Sequence, residues 1–163
     1  MASGYGIAPA ASATDVACIT GSATKITRVQ RISVSGTAGT LVTLPVIIFK
    51  HSVANTGGTA AATTALPVPI PLDSTFAAAT ATTTAYTANP TVDATAVQLD
   101  ARTVSFNTTS ALANGPTALF DWGNRSFAAA PTLRGVAQQV CVNFGGISVS
   151  SGLAAISFYW TEY

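Results

Sequence analysis

Charge is what this sequence has least of. Only 8% of its 163 residues are Asp, Glu, Lys or Arg, against about a quarter in average globular proteins, and Glu162 is the sole glutamate. Seven basic residues against six acidic leave a formal net charge of +1. A freely diffusing enzyme is kept from its neighbours by net charge, so so weak a surface fits one that is covered. Lys25, Arg28 and Arg31 cluster, but the other cations are scattered. The dense basic face of a nucleic-acid-binding domain is missing, so no nucleic-acid partner is expected. Long apolar runs are missing too: LPVIIF (45–49 and its leading Leu44) is far below the ~20 residues of a membrane span. MASGYGIAPAASATD at the start has neither a positive n-region nor an apolar h-region, so export and membrane association are not expected.

Chemistry-bearing residues are equally sparse. His51 is the only histidine, and Cys18 and Cys141 are the only cysteines. By spacing, one His and two distant Cys do not make a closed zinc site. The cysteines read as buried thiols of a reducing compartment rather than a disulfide. Asp15, Asp73, Asp93, Asp100 and Asp121 are singletons without calcium-loop spacing. No G-x-S-x-G elbow accompanies His51. Asn55-Thr56-Gly57-Gly58 lacks the Lys-Ser/Thr and helix of a phosphate cradle and reads as a turn. The expectation is a non-enzyme with no catalytic residue, cofactor or metal.

What is present is strand. Ala and Thr make up about a third of the chain, but the Ala alternates with β-branched Thr, and no window has helical apolar spacing with caps. Alternation marks strands over 136–144 and 153–162, with Trp160 on the core side. Over 96–106 the apolar phase changes, which predicts a bulge near Ala101 to Thr103. Residues 25–36 and 41–51, separated by TAGT, read as a hairpin, with Pro45 at an edge or bulge. The last two strands, joined by GGISVSSG, read as another. Further strands are expected at 14–20, 80–87, 117–122 and 131–135. Eight to nine strands predict an all-β fold, an antiparallel β-sandwich in preference to a barrel. Residues 14–163 form its single domain, and 1–13 an arm that is disordered or orders on a partner.

Several segments together resemble a family. TDVACITGSATKITRVQRISVSGT, FKHSVANTGGTAAATTALPVPIPLDS, ATTTAYTANPT, ALFDWGNRSFAAAPTLRGVAQQVCVNFGG and AAISFYWTE are similar, in order, to small virion structural proteins of tailed bacteriophages. The resemblance spans Thr14 to Glu162, with SVANTGGT, AYTANPT and WTE its most characteristic pieces. It implies a jelly-roll-like structural protein, made in the host cytoplasm and mounted on the virion. The role favoured is capsid decoration: a cement protein, as a homotrimer, on the major capsid protein lattice. No catalytic residues come with it, and Pro67, Pro69 and Pro71 depart from its pattern.

Those alternating prolines predict an extended 66–72 with Leu66, Val68, Ile70 and Leu72 as apolar contacts, an arrangement that loses little entropy on docking. Tyr5, Ile7, His51, Asn55, Leu66, Val68 and Ile70 are the expected partner interface, with 51–74 running along a neighbouring subunit or the shell. A second loop, Asp121, Trp122, Asn124 and Arg125, is a candidate for recognition, or a turn in which Asp121 and Arg125 pair and Trp122 covers the end of the sandwich. Exposed, it would suit a tail or head-fibre component binding host glycan. A free carbohydrate-binding module is a third, less supported reading.

Overall fold

In the computed structural model, the described residues are 1–60, 71, 72, 75, 77–108, 117–123 and 130–163, with backbone alone at Tyr5. Eleven strands occur among them and no helix: β1 (Ala2–Ile7), β2 (Ala13–Thr20), β3 (Ile26–Ala38), β4 (Val42–His51), β5 (Thr59–Ala60), β6 (Thr82–Ala88), β7 (Val97–Thr108), β8 (Ala118–Asp121), β9 (Thr132–Arg134), β10 (Gln139–Ile147) and β11 (Leu153–Glu162). The chain is thus all-β, a mixed sheet in the order β1-β11-β3-β7-β4-β10-β2-β6-β5, with β8 and β9 added along β3. It curls because β7 serves two partners. Residues 97–106 pair antiparallel with β4, and Asn107 and Thr108 then run parallel to Thr37 and Ala38 of β3.

The curl encloses one apolar core. From β3, β8 and β11 come Ile32, Val34, Phe120, Ile156, Phe158 and Trp160. Leu44, Val46, Ile48, Val140, Val142, Ala17 and Ile19 meet them from β4, β10 and β2. Phe106 and Phe144 pack edge to face, with ring centroids 5.9 Å apart. Trp160 sits in this core, as its alternation with Ile156 and Phe158 predicts.

Both expected hairpins are absent. β3 pairs with β11 and β4 with β10, so β3–β4 and β10–β11 each cross from one half of the curl to the other. The two crossings lie together at one end, where Gly39 N–H donates to the Ser150 carbonyl at 2.8 Å. The reason is that an alternating strand buries its apolar face equally well beside a neighbour or across the core from it. The expected free arm is also replaced. Residues 2–7 pair along their whole length with β11, and Ile7 is buried, so the small residues there have their contacts within the chain.

Local details follow their causes. The bulge of β7 lies at Leu99 rather than at 101–103: Ile48 faces Asp100 and Phe49 faces Gln98. Val136 precedes β10 and is exposed, outside the face assigned to it. Pro45 lies just past Ile47, where β10 leaves β4, so its missing N–H interrupts no pairing on that side. There β10 turns through Gly145 and Gly146, both at positive φ (63° and 79°). At Gly145 a Cβ would also stand 2.9 Å from the Pro45 ring, so glycine is required twice over.

Candidate functional site

Cys18 and Cys141 occupy directly opposite positions on β2 and β10 and form a disulfide, with Cα atoms 4.1 Å apart. This corrects the expectation of buried thiols: a sequence separation of 123 conceals a cross-strand pair. On the same outward face stand Gln139 and Asn143 of β10, two residues either side of Cys141. His51 of β4 lies opposite Gln139. Asp15 reaches this face through an irregularity: the β2–β10 register shifts between Val142 and Asn143, setting Asp15 against Asn143. Without the shift, alternation would turn the carboxylate into the core.

The result is a buried polar cluster. Asp15 accepts from Asn143 Nδ2 at 2.7 Å on one oxygen and from Asn55 Nδ2 at 2.7 Å on the other. His51 Nε2 stands 3.1 Å from Asp15 Oδ2, close enough for an ion pair but off the line of a hydrogen bond. Neither ring nitrogen has a hydrogen-bond partner, although His51 is only 1% exposed. Asn55 closes the cluster from the loop after β4, its backbone N–H donating to Gln139 Oε1 at 2.9 Å. Its Nδ2 also approaches the Cys18 sulfur at 3.4 Å. Tyr86 of β6 packs on the disulfide, and burial, with Asp15 nearby, pushes its phenol above its ordinary pKa.

The loop bearing Asn55 is itself fixed. Asp93 accepts from Ser52 N–H and Oγ and from Val53 N–H on one oxygen, and from Thr95 N–H and Oγ on the other. The hydrogen bonds from Thr95 and Ser52 hold its carboxyl well below the usual range. Between this loop and β4 lies an open recess of about 390 Å³, with Ile47, Phe49, Val92 and Ala96 as apolar wall and Asp15, His51 and Asn143 at its polar end.

The residues predicted for a partner interface are therefore divided. His51 and Ile7 are buried, 1% and 3% exposed, and present no surface to a partner. Asn55 is half-buried and serves the Asp15 cluster, and Tyr5 is a β1 position in register with Ile156. Leu66, Val68 and Ile70 lie outside the described residues, as do Asn124 and Arg125. Trp122 is not an open recognition platform: it is 8% exposed and stacks on Phe120, with rings 6.2 Å apart. Asp121 accepts from Gly123 N–H at 2.9 Å and sits opposite Arg31.

Ligand atoms of Asp15, Cys18 and Cys141 lie within 4.8 Å of one another, a donor set the sequence spacing hides. Nucleophilic chemistry has less to work with: Ser52, next to His51, commits its hydroxyl to Asp93 at 2.9 Å.

A different surface stands out by its lack of chemistry. The outward face of β1, β11, β3 and β8 carries Gly4, Ser157, Ser33 and Leu119 in one row and Gly6, Ala155 and Ser35 in the next. Leu153 and Thr37 follow beyond. Among the described residues, charge enters this face at one end, in the row of Arg31 and Asp121, where Arg31 lies over the Tyr159 ring at 4.2 Å. Leu119 and Leu153 are 40% and 57% exposed. Compared with protein-family models, curated proteins and solved structures, the chain has no match.

Proposed function

We propose that this chain is a non-enzymatic structural protein of a tailed-bacteriophage virion, a capsid decoration protein that binds the major capsid protein lattice and stabilises the head. The observation that carries this reading is the outward face of β1, β11, β3 and β8, where the described residues form two rows of small uncharged residues with Leu119 at their margin. A strand face without charged side chains meets another protein with little desolvation cost. Many copies bound through such faces gain from multivalency what each contact lacks. In this reading the curled sheet is a jelly-roll-like sandwich and the chain works as a homotrimer. The resemblance carried by SVANTGGT, AYTANPT and WTE supports the same assignment. Glycan recognition by a tail or fibre component has less support, since Trp122 is turned into the core.

Co-sedimentation of purified protein with heads lacking it tests the proposal. Wild-type protein should saturate at a simple fraction of the lattice. Leu119→Glu should bind at least about tenfold more weakly with an unchanged circular dichroism spectrum, because a carboxylate in a closed face is left unpaired. Equal binding by the variant would remove this face from the account.

A further inference from the structure

We propose that, when its disulfide is reduced, the protein binds one zinc-class divalent ion between β2, β4 and β10, held by Cys18, Cys141, Asp15 and His51. Three observations carry the site. The first is spacing: the Asp15, Cys18 and Cys141 ligand atoms form a group within 4.8 Å of one another, and His51, outside that group, adjoins it through Asp15, its Nε2 3.1 Å from Oδ2. Nitrogen and oxygen donors at zinc distance from one tetrahedral ion are about 3.3 Å apart, and two thiolates about 3.8 Å. The Asp15–His51 pair already stands near that separation, and reduction frees the two sulfurs to reach theirs.

The second is the unpartnered imidazole. A fully buried histidine normally has a hydrogen bond on at least one nitrogen, whereas both nitrogens of His51, and Asn55 Oδ1 beside it, have none. An ion at the Asp15–His51 gap would bind that nitrogen. Asn143 and Asn55, each 2.7 Å from an Asp15 oxygen, would remain as outer partners that orient the carboxylate. The third is access: the recess of about 390 Å³ reaches Asp15 and His51 from solvent. Two thiolates, an imidazole and a carboxylate suit zinc over the hard cations magnesium and calcium.

A dithiol or phosphine reductant supplies two electrons to the Cys18–Cys141 bond and is itself oxidised. The cleaved sulfurs take up two protons, and ion binding later releases both to solvent as the thiols become thiolates. The oxidised protein, with both sulfurs bonded to each other, has no such site.

Cobalt(II) titration of the full chain, with and without prior phosphine reduction, tests this. Reduced protein should take up one cobalt per chain, with the intense visible bands of four-coordinate cobalt and thiolate-to-cobalt charge transfer in the near ultraviolet, both reversed by zinc. Oxidised protein should show neither, the double variant Cys18→Ser/Cys141→Ser should lose the charge transfer, and His51→Gln should bind at least about tenfold more weakly. Should reduction unfold the chain, zinc should restore its far-ultraviolet circular dichroism. No uptake by reduced protein, a pale six-coordinate spectrum without charge transfer, equal uptake by oxidised protein, or no zinc rescue of an unfolded reduced chain would overturn the site. Unchanged affinity in His51→Gln would overturn the ligand set.

Discussion

The single glutamate shows how much one residue can organise here. Glu162 Oε1 accepts from Trp160 Nε1 at 2.9 Å and from Ala81 N–H at 2.9 Å, while Oε2 accepts from the Thr80 hydroxyl at 2.6 Å. Lys25 Nζ stands 3.5 Å away. Burial alone would raise the carboxyl pKa, but the bonds from Thr80, Trp160 and Ala81 outweigh it and hold it at about 2, against 4.5 when unfolded. A depressed folded pKa stabilises fully above the unfolded value and is lost as pH falls through the folded one. The stabilisation should therefore be complete above pH 4.5 and gone near pH 2. After discount for solvent screening it amounts to about 1–2 kcal/mol. Urea midpoints of wild type and Glu162→Gln should differ at pH 7 and converge near pH 2; a gap independent of pH would contradict this. In the sequence Glu162 is only the end of WTE. Nothing local shows that Thr80 and Ala81 return to it, and sequence distance likewise hides Asp15 from His51.

At the scale of strands, much was legible. Period-two alternation locates β10 and β11, because one face of each, Val140, Val142 and Phe144 or Ala154, Ile156, Phe158 and Trp160, lies in the core. Connections were not, since TAGT and GGISVSSG carry the same turn residues whether the chain folds back beside itself or arches over a core. The sign of the arch is instead a glycine inside a strand. A methyl on Gly36 would stand 2.5 Å from the Phe106 ring and 2.6 Å from the Leu153 carbonyl oxygen. Gly36→Ala should thus cost about 1–3 kcal/mol by overpacking. Gly6→Ala, with no atom within 4 Å of its Cβ, should stay within about 0.5 kcal/mol. Chemical denaturation of the pair compares them directly, and equal costs would mean that the crossing is not packed this tightly.

For the whole molecule, composition was the most informative signal. A chain with 8% charged residues can place most of its charges away from one broad face. The face of β1, β11, β3 and β8 is that surface, with charge held to the row of Arg31 and Asp121. The disulfide was the chief miss at this scale, because Cys18 and Cys141 are 123 apart in sequence and a register shift, not a motif, sets Asp15 beside them. In the chain-entropy view a bridge over so long a loop contributes roughly 4–5 kcal/mol, so the oxidised fold needs few ion pairs to persist. The proposed decoration role rests on that uncharged face being covered in assembled particles. Quantitative mass spectrometry of purified virions, counting this chain against the major capsid protein, tests the role most directly. The account predicts a ratio near unity or a simple lattice fraction of it; a handful of copies per particle, or none, would contradict it.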